Sequence, residues 1–174
     1  MQLNNVFDIP QVIVAEPQAL DFIRKRLAIE TFSHVKSLRL SAAKENFKHV
    51  LDDYYSGKCD LDGAVQRVEL EVVTPPEFKR ISRWAERLAR SEVSKLFTLG
   101  YGDYLMSIGD TQCFVPHTNL DESPECLRLI VGRTFSISEI QSNIYANYGL
   151  KEPVSPTVPL HANCRHIIAR VSKL

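Results

Sequence analysis

The spacing of apolar residues changes near residue 110, and this change restricts the folds that the chain can adopt. Before it, apolar residues recur at intervals of three and four, which is typical of amphipathic helices. After it come short β-branched segments separated by turn residues, at 111–117, 126–137 and 164–171, which predict small strands. The sequence therefore predicts an α+β fold, with a helical N-terminal region and a small antiparallel β lobe at the C-terminus.

The first part of the chain is predicted as an extended arm followed by helices. Residues 1–15 mix β-branched residues with proline, which favours extended backbone. Helical spacing begins at Pro17, a residue suited to a first turn. Apolar residues at Phe32, Val35 and Leu38 continue that spacing. Two further helices are predicted, one from Ser41 to Gly57 and one from Leu61.

A long helix is predicted to follow Thr74, Pro75, Pro76 and Glu77. Threonine can cap a helix, proline suits its first turn, and glutamate three residues later can complete a capping box. The apolar residues predicted to face the core are Phe78, Ile81, Ala85, Leu88 and Leu96. We expect Gly100 and Gly102 to bend or end this helix, and Gly109 to end it in any case. A second capping-box pattern, Ser136 with Glu139, predicts a brief helix inside the C-terminal lobe.

These patterns divide the chain into residues 1–73, an arm with helices, and residues 74–174, which we expect to pack with them as one unit.

The net charge is +0, so the chain lacks the basic surface with which proteins wrap nucleic acid. No run approaches about 18 apolar residues, so no membrane contact is expected. The N-terminus lacks the pattern of a signal peptide, which favours the cytoplasm. No phosphate-binding loop or hydrolase motif occurs, and we expect no enzymatic activity.

Two thiols and two imidazoles form the sharpest candidate site: Cys126, His161, Cys164 and His166. Thiolate and imidazole are the ligands that tetrahedral zinc prefers, and His161 and Cys164 have a spacing that lets both reach one ion from one turn. No cofactor is required by the pattern, but zinc is allowed. Two other interpretations remain open. The cysteines are more commonly small buried hydrophobes with the histidines in local hydrogen bonds, or they form a disulfide.

Three arginines at helical spacing form a second candidate surface: Arg83, Arg87 and Arg90. Such a stripe can meet phosphate or an acidic partner, but it is more often a solvated face with ion pairs along the helix.

The C-terminal turn around His161 is predicted to lie near Cys126, with the strand from Cys126 running beside the strand that contains His166. Cys113 and His117 are a further thiol–imidazole pair, without an orienting third group nearby.

Three motif blocks in the C-terminal half resemble the Mu F-type minor head proteins of tailed bacteriophages, also called head morphogenesis proteins. The first block contains Ala89, Arg90, Ser91 and Glu92. The second contains Asp121, Pro124 and Cys126, followed by Gly132 and Phe135. The third contains Pro159, His161, Asn163, Cys164 and Arg165. The chain departs from the family pattern at Ser123 and His166, where cysteine is frequent, and at Ala162, where proline is frequent.

The resemblance implies a structural role in a virion rather than an enzymatic one. It implies a minor head or head–tail junction protein that contacts the portal or the major capsid protein, with packaged DNA as a further contact. Its location would then be the virion head, and the host cytoplasm during assembly. The alternative is a small zinc-dependent nucleic-acid-binding module that uses Arg83, Arg87 and Arg90, which the neutral charge disfavours.

Overall fold

The computed structural model describes residues 3–147, 150 and 152–171 and has the predicted α+β architecture, with a helical N-terminal region and a small antiparallel sheet. A 3₁₀ turn (Val6–Asp8) leads into the helices, which are α1 (Ile9–Ala15), α2 (Ala19–Ile29), α3 (Ser41–Tyr55), α4 (Leu61–Glu71), α5 (Pro76–Lys79), α6 (Trp84–Ser107), α7 (Pro124–Leu129) and α8 (Ile137–Ser142). The strands are β1 (Gln112–Val115), β2 (Arg133–Ser136) and β3 (Ala169–Arg170).

Helix α6 lies at the centre of the molecule. Every residue in the range 92–102 is buried, so the middle of the helix is enclosed on all sides. Helices α2, α4 and α8 pack against it. A helix surrounded in this way has no solvated face, and its polar residues must find partners inside the protein.

Two glycines of α6 allow neighbouring helices to approach closely, and the prediction that they end the helix is wrong. A Cβ atom on Gly100 would lie 2.4 Å from the Ile23 Cα of α2, so the two backbones meet there. A Cβ on Gly102 would meet only side-chain atoms of α8, at 2.8 Å from Gln141 and 2.9 Å from Ile137. The helix ends at Ser107, and Gly109 follows it with a φ of +94°, as expected for a helix-ending glycine.

The N-terminal arm is helical from Val6 to Ala15, so the predicted extended conformation is wrong there. The Asn5 side chain accepts a hydrogen bond from the Phe7 amide (2.9 Å), and the Asp8 carboxylate accepts one from the Asn5 amide (3.1 Å). This reciprocal cap satisfies amides that a helix start leaves unpaired, and Pro10 falls in the first turn of α1, where proline is tolerated. Residues 1 and 2 of the predicted arm lie outside the described residues.

The prediction of helix between α2 and α3 is also wrong, because turns replace it. The segment between α2 and α3 contains Phe32, Val35 and Leu38 at helical spacing, yet it forms turns, and Phe32 has a φ of +52°. The apolar side chains at Phe32 and Leu38 are buried all the same, because a turn can also return every third residue to the core.

The predicted helix after Thr74 is divided into α5 and α6. Pro75, not Thr74, is the N-cap residue of α5, with no side-chain cap, and Arg83 in a left-handed conformation precedes α6. Ile81, predicted to face the core, is 47% exposed between them. The capping box predicted at Ser136 is also not formed, although α8 begins directly after that residue.

The sheet has the order β2–β1–β3, and both pairings are antiparallel. Cys113 in the central strand lies opposite Phe135 of β2 and Arg170 of β3. The first half of the predicted strand at 126–137 is α7 instead, because the Ser123 side chain caps a helix start by accepting a hydrogen bond from the Cys126 amide (3.2 Å). Cys126 is therefore helical, and its predicted pairing with a strand containing His166 is wrong.

Contacts cross the predicted boundary at residues 73 and 74. Helix α6 packs against α2 and α4, and the Val6 amide donates to the Arg165 carbonyl at 2.7 Å. One hydrophobic core cluster contains residues from both segments. Within the described part of the chain, no helix combines the length and the apolar character needed to cross a bilayer.

We expect Gly100→Ala to destabilise the protein by about 1–3 kcal/mol, because the new methyl group must push apart two backbones that cannot rotate away. The comparison variant Gly102→Ala should destabilise the protein less, because its methyl group would meet side-chain atoms of Gln141 and Ile137 rather than backbone, and alanine has the higher helix propensity. Urea unfolding followed by circular dichroism measures both. Equal stabilities of the two variants would contradict the close approach of α2 and α6.

Candidate metal centre

Three buried side chains, Cys126, Cys164 and His166, bring their potential ligand atoms within 4.8 Å of one another. The two Sγ atoms lie 4.0 Å apart, and the Cys164 Sγ lies 3.6 Å from the His166 Nδ1. Both cysteines are free, with no disulfide between them. The proximity expected from the sequence is present, although a helix rather than a strand brings Cys126 to it.

Three local structures position these side chains. The Ser123 cap starts α7 so that Cys126 falls in its first turn. A turn closed by the hydrogen bond from the Cys164 amide to the His161 carbonyl (3.0 Å) places Cys164 opposite that helix. An isolated antiparallel bridge between Asn5 and His166 then fixes the backbone of the histidine. The site therefore depends on the N-terminal arm as well as on the C-terminal lobe.

Glu122 orients the buried histidine, and sequence analysis did not identify it. Its Oε1 lies 3.2 Å from the His166 Nε2 and accepts a hydrogen bond from the Thr118 amide at 2.6 Å. Its Oε2 lies 3.0 Å from the Nδ1 of His117, an exposed side chain. Asp121, the carboxylate in the family motif, is exposed next to it. No spacing in the sequence distinguishes these two adjacent acids, because only the fold turns one of them inward.

Charge in the cluster follows from these contacts. Burial raises the pKa of Glu122, but the Thr118 amide and the two histidines outweigh burial and hold that pKa below its usual range. Burial lowers the pKa of His166, and its bonds with Cys164 and Glu122 reverse this, so the pKa lies above its usual range. The hydrogen bond between the two sulfurs, together with the adjacent His166, lowers the pKa of Cys164, whereas the same bond and burial raise the pKa of Cys126.

His161 contacts the cluster without belonging to the group of three. Its Nε2 lies 3.3 Å from the Cys126 Sγ and 3.1 Å from the Ser123 Oγ. Its Nδ1 accepts a hydrogen bond from the Asn163 amide at 3.2 Å. A backbone amide can only donate, so the neutral ring must carry its proton on Nε2 and donate toward Ser123 or Cys126.

The cluster has three chemical options: binding a soft metal ion, oxidation to a disulfide, or nucleophilic attack by a thiolate. A nucleophile must reach its substrate, and Cys164 and His166 are each only 2% exposed. Cys113, the other thiol considered with His117, is fully buried in β1, whereas the His117 side chain is exposed and lies on Glu122. The geometry therefore favours binding or cross-linking over catalysis.

The remaining residues of the second motif block serve the backbone and the sheet. Gly132 has a φ of +71°, and a Cβ on it would lie 3.3 Å from the His117 ring. Phe135 packs against the core from β2, opposite Cys113. Pro124 is the exposed first residue of α7. Glycine and proline are suited to these positions because one adopts positive φ and the other fits a first helical turn.

The predicted arginine stripe on α6 is not a free cationic face. Arg83 and Arg90 both bind the carboxylate of Glu86, and the Arg90 side chain is only 6% exposed. Arg90 also lies over the Phe7 ring at 5.6 Å. Arg87 is exposed. Two of the three arginines therefore share one carboxylate within the protein, which neutralises one of the three positive charges.

Glu92, in the first motif block, belongs to a buried charge cluster that sequence analysis missed. Its carboxylate lies 2.5 Å from the Lys95 Nζ and 2.9 Å from the His34 Nε2. The same ammonium lies 2.7 Å from the Glu30 Oε2, and the Lys95 side chain is fully buried. Burial lowers the pKa of Lys95, but the two carboxylates outweigh it and hold that pKa above its usual range. The sequence feature that could have indicated this cluster is a lysine within an apolar helical segment.

Comparisons of the chain with protein-family models, with curated protein sequences and with solved structures find no match.

We expect Glu92→Gln to destabilise the protein by about 3 kcal/mol, because it leaves a buried ammonium with incomplete compensation. Glu69→Gln, at an exposed position of α4, is the matched control and should change stability by less than about 0.5 kcal/mol. Urea unfolding at neutral pH provides the comparison. A Glu92→Gln variant as stable as the control would show that the cluster contributes no net stability.

Replacement of Cys164 by serine should destabilise the protein by about 1–3 kcal/mol, since a smaller, more polar group would occupy a buried position among the sulfur and imidazole atoms. Cys59→Ser, at a partly exposed position after α3, should shift stability by less than about 0.5 kcal/mol. Thermal unfolding under reducing conditions tests the pair. Equal shifts would mean that the Cys164 sulfur makes no specific contribution.

Proposed function

We propose that the chain is a structural component of a tailed-phage virion, a minor head or head–tail junction protein that acts by contacts to portal or capsid subunits. The observation that carries this proposal is the convergence of the three motif blocks. They are separated by up to about 70 positions in the sequence, yet they form one continuous region of the fold.

The second and third blocks meet at the thiol cluster. Cys126 belongs to the second block and Cys164 to the third, and their sulfur atoms are 4.0 Å apart. His161 of the third block also lies 3.3 Å from the Cys126 sulfur. Residues of these two blocks thus hold distant segments of the chain together, as a structural role would require.

The first and third blocks share a surface cavity of about 400 Å³. Ser91 lines it from α6, and Pro159, Leu160 and His161 line it from the C-terminal segment. The positive charge of Arg165 also acts on Arg90 in the first block. The region is thus formed by all three blocks, as expected if the motifs describe one folded unit.

The buried pair of Cys164 and His166 supports a structural role over an enzymatic one. A Cys–His–Glu arrangement is present in Cys164, His166 and Glu122, but its sulfur is not accessible to a substrate in this structure. The alternative nucleic-acid-binding function receives less support, because Glu86 already binds Arg83 and Arg90. Backbone phosphates are recognised chiefly by cationic side chains that are free to contact them.

Co-sedimentation tests the proposal. Cells that carry the gene and produce particles are lysed, treated with nuclease and separated on a density gradient, and each fraction is analysed by mass spectrometry. We expect the chain to band with the major capsid protein and the portal, and to stay there after nuclease treatment, because protein contacts hold it. The absence of the chain from particle fractions that contain both proteins would overturn the proposal.

A DNA-binding assay separates the alternative function. We expect no shift of duplex DNA by the purified chain at low salt, and no difference between wild type and Arg87→Ala. Binding that weakens steeply with added salt and is reduced in Arg87→Ala would favour the nucleic-acid-binding module instead.

A further inference from the structure

We infer that Cys126, Cys164 and His166 bind one zinc ion through the two Sγ atoms and Nδ1, with Glu122 and His161 as supporting groups that do not touch the metal. The inference does not depend on the proposed function, since it concerns the isolated chain.

Two of the three distances between the ligand atoms match a tetrahedral zinc site, and the third, between the Cys126 Sγ and the His166 imidazole, is within 4.8 Å. Zinc binds thiolate at about 2.3 Å and imidazole at about 2.0–2.1 Å, which at the tetrahedral angle separates two sulfurs by about 3.8 Å and a sulfur from a nitrogen by about 3.6 Å. The observed separations are 4.0 Å for the two sulfurs and 3.6 Å for the Cys164 sulfur and the His166 nitrogen. Cys164 is therefore already placed to share one ion with each of the other two ligands.

The donor types select the metal. Two thiolates and one imidazole are soft to borderline ligands, which suit zinc and disfavour magnesium and calcium. Two thiolates also balance the double charge of the ion, so the occupied site is neutral inside the protein. All three ligands are buried.

Glu122 lies where zinc sites commonly place a carboxylate that accepts a hydrogen bond from the metal-binding histidine. It lies 3.2 Å from the Nε2 of His166, while Nδ1 of the same ring faces Cys164. Donation of the Nε2 proton to the carboxylate leaves the Nδ1 lone pair for the metal. The Thr118 amide, at 2.6 Å, holds the carboxylate in place.

His161 is excluded from the ligand set by its own hydrogen bonds. The Asn163 amide occupies Nδ1, so the proton of the neutral ring is on Nε2, the atom nearest to Cys126. That N–H can donate to the Cys126 thiolate but cannot bind an ion. Among the described residues, no fourth Cys, His, Asp or Glu atom joins the group of three, so water completes the tetrahedron.

Metal analysis of the wild-type chain is the first test. The protein is purified under reducing conditions, its zinc content and free thiols are measured, and the chelated chain is titrated with Zn²⁺ and Co²⁺. We expect one zinc per chain, and a cobalt complex with thiolate-to-metal charge-transfer absorption and a tetrahedral visible spectrum. Absence of both signals, or a Cys126–Cys164 disulfide in the protein purified without reductant and no metal in the reduced protein, would overturn the inference.

Variants then test the ligand assignment. Cys126→Ser, Cys164→Ser and His166→Phe should each weaken zinc binding more than 100-fold, whereas Cys59→Ser, at a distant partly exposed thiol, should leave it unchanged. Loss of an outer-shell group costs about 10–100-fold in affinity, so His161→Phe and Glu122→Gln should fall in that range and keep one zinc per chain. Circular dichroism checks whether each variant is folded. If a variant is unfolded, the cobalt spectrum of the wild-type chain still tests the inference.

Two results contradict the assignment. Stoichiometric, tight zinc in His166→Phe would remove that histidine from the ligand set, and complete loss of zinc in His161→Phe would make His161 a ligand. These measurements need no phage particle, so their failure is distinct from failure of the proposed virion role.

Discussion

The enclosure of α6 is the constraint on which the rest of the structure depends. A helix buried on all sides cannot leave a charged residue in water, yet α6 carries Glu92 and Lys95 in its enclosed segment. An isolated charge in such a place costs several kcal/mol, and Glu92 and Lys95 avoid this cost by pairing with each other. From the segment between α2 and α3, the Glu30 carboxylate binds the same ammonium and the His34 ring contacts the Glu92 carboxylate. That segment is therefore held in place by its bonds to the buried charge pair.

The same constraint explains an unusual backbone conformation. Phe32 has a φ of +52°, which is unfavourable for a bulky residue and needs compensation. The Glu30 carboxylate accepts a hydrogen bond from the Phe32 amide at 2.7 Å, and the Lys95 ammonium lies 5.5 Å from the centre of the Phe32 ring. The buried charges thus stabilise the turn that brings them together. This mutual dependence is not visible in the spacing of apolar residues, which is why the segment was predicted as helix.

The sequence predicted those features that local patterns determine and missed those that depend on distant contacts. Helices α3 and α4 agree with the prediction because their apolar faces are regular and Gly57, with a φ of +76°, ends the first of them. Helix α7 was predicted as strand because it is only six residues long and a β-branched segment follows it, so the cap at Ser123 was not recognised. In the candidate metal centre, the sequence was enough to select Cys126 and Cys164. Only the folded chain distinguishes Glu122 from Asp121 as the partner of His166.

The motif residues of the resemblance divide into two groups in the structure, and the division bears on how a virion protein would work. Arg90 and Glu92 are buried and bound to internal partners, so they stabilise the domain and are not available to another subunit. Asp121 and Pro124 are exposed at the start of α7, directly beside the thiol cluster. A contact surface needs exposed side chains on a rigid support, and the cluster beneath α7 provides that rigidity. If the chain acts through the motif region, the loop before α7 is therefore the part of that region suited to meet a portal or capsid subunit, while the buried motif residues hold it in shape.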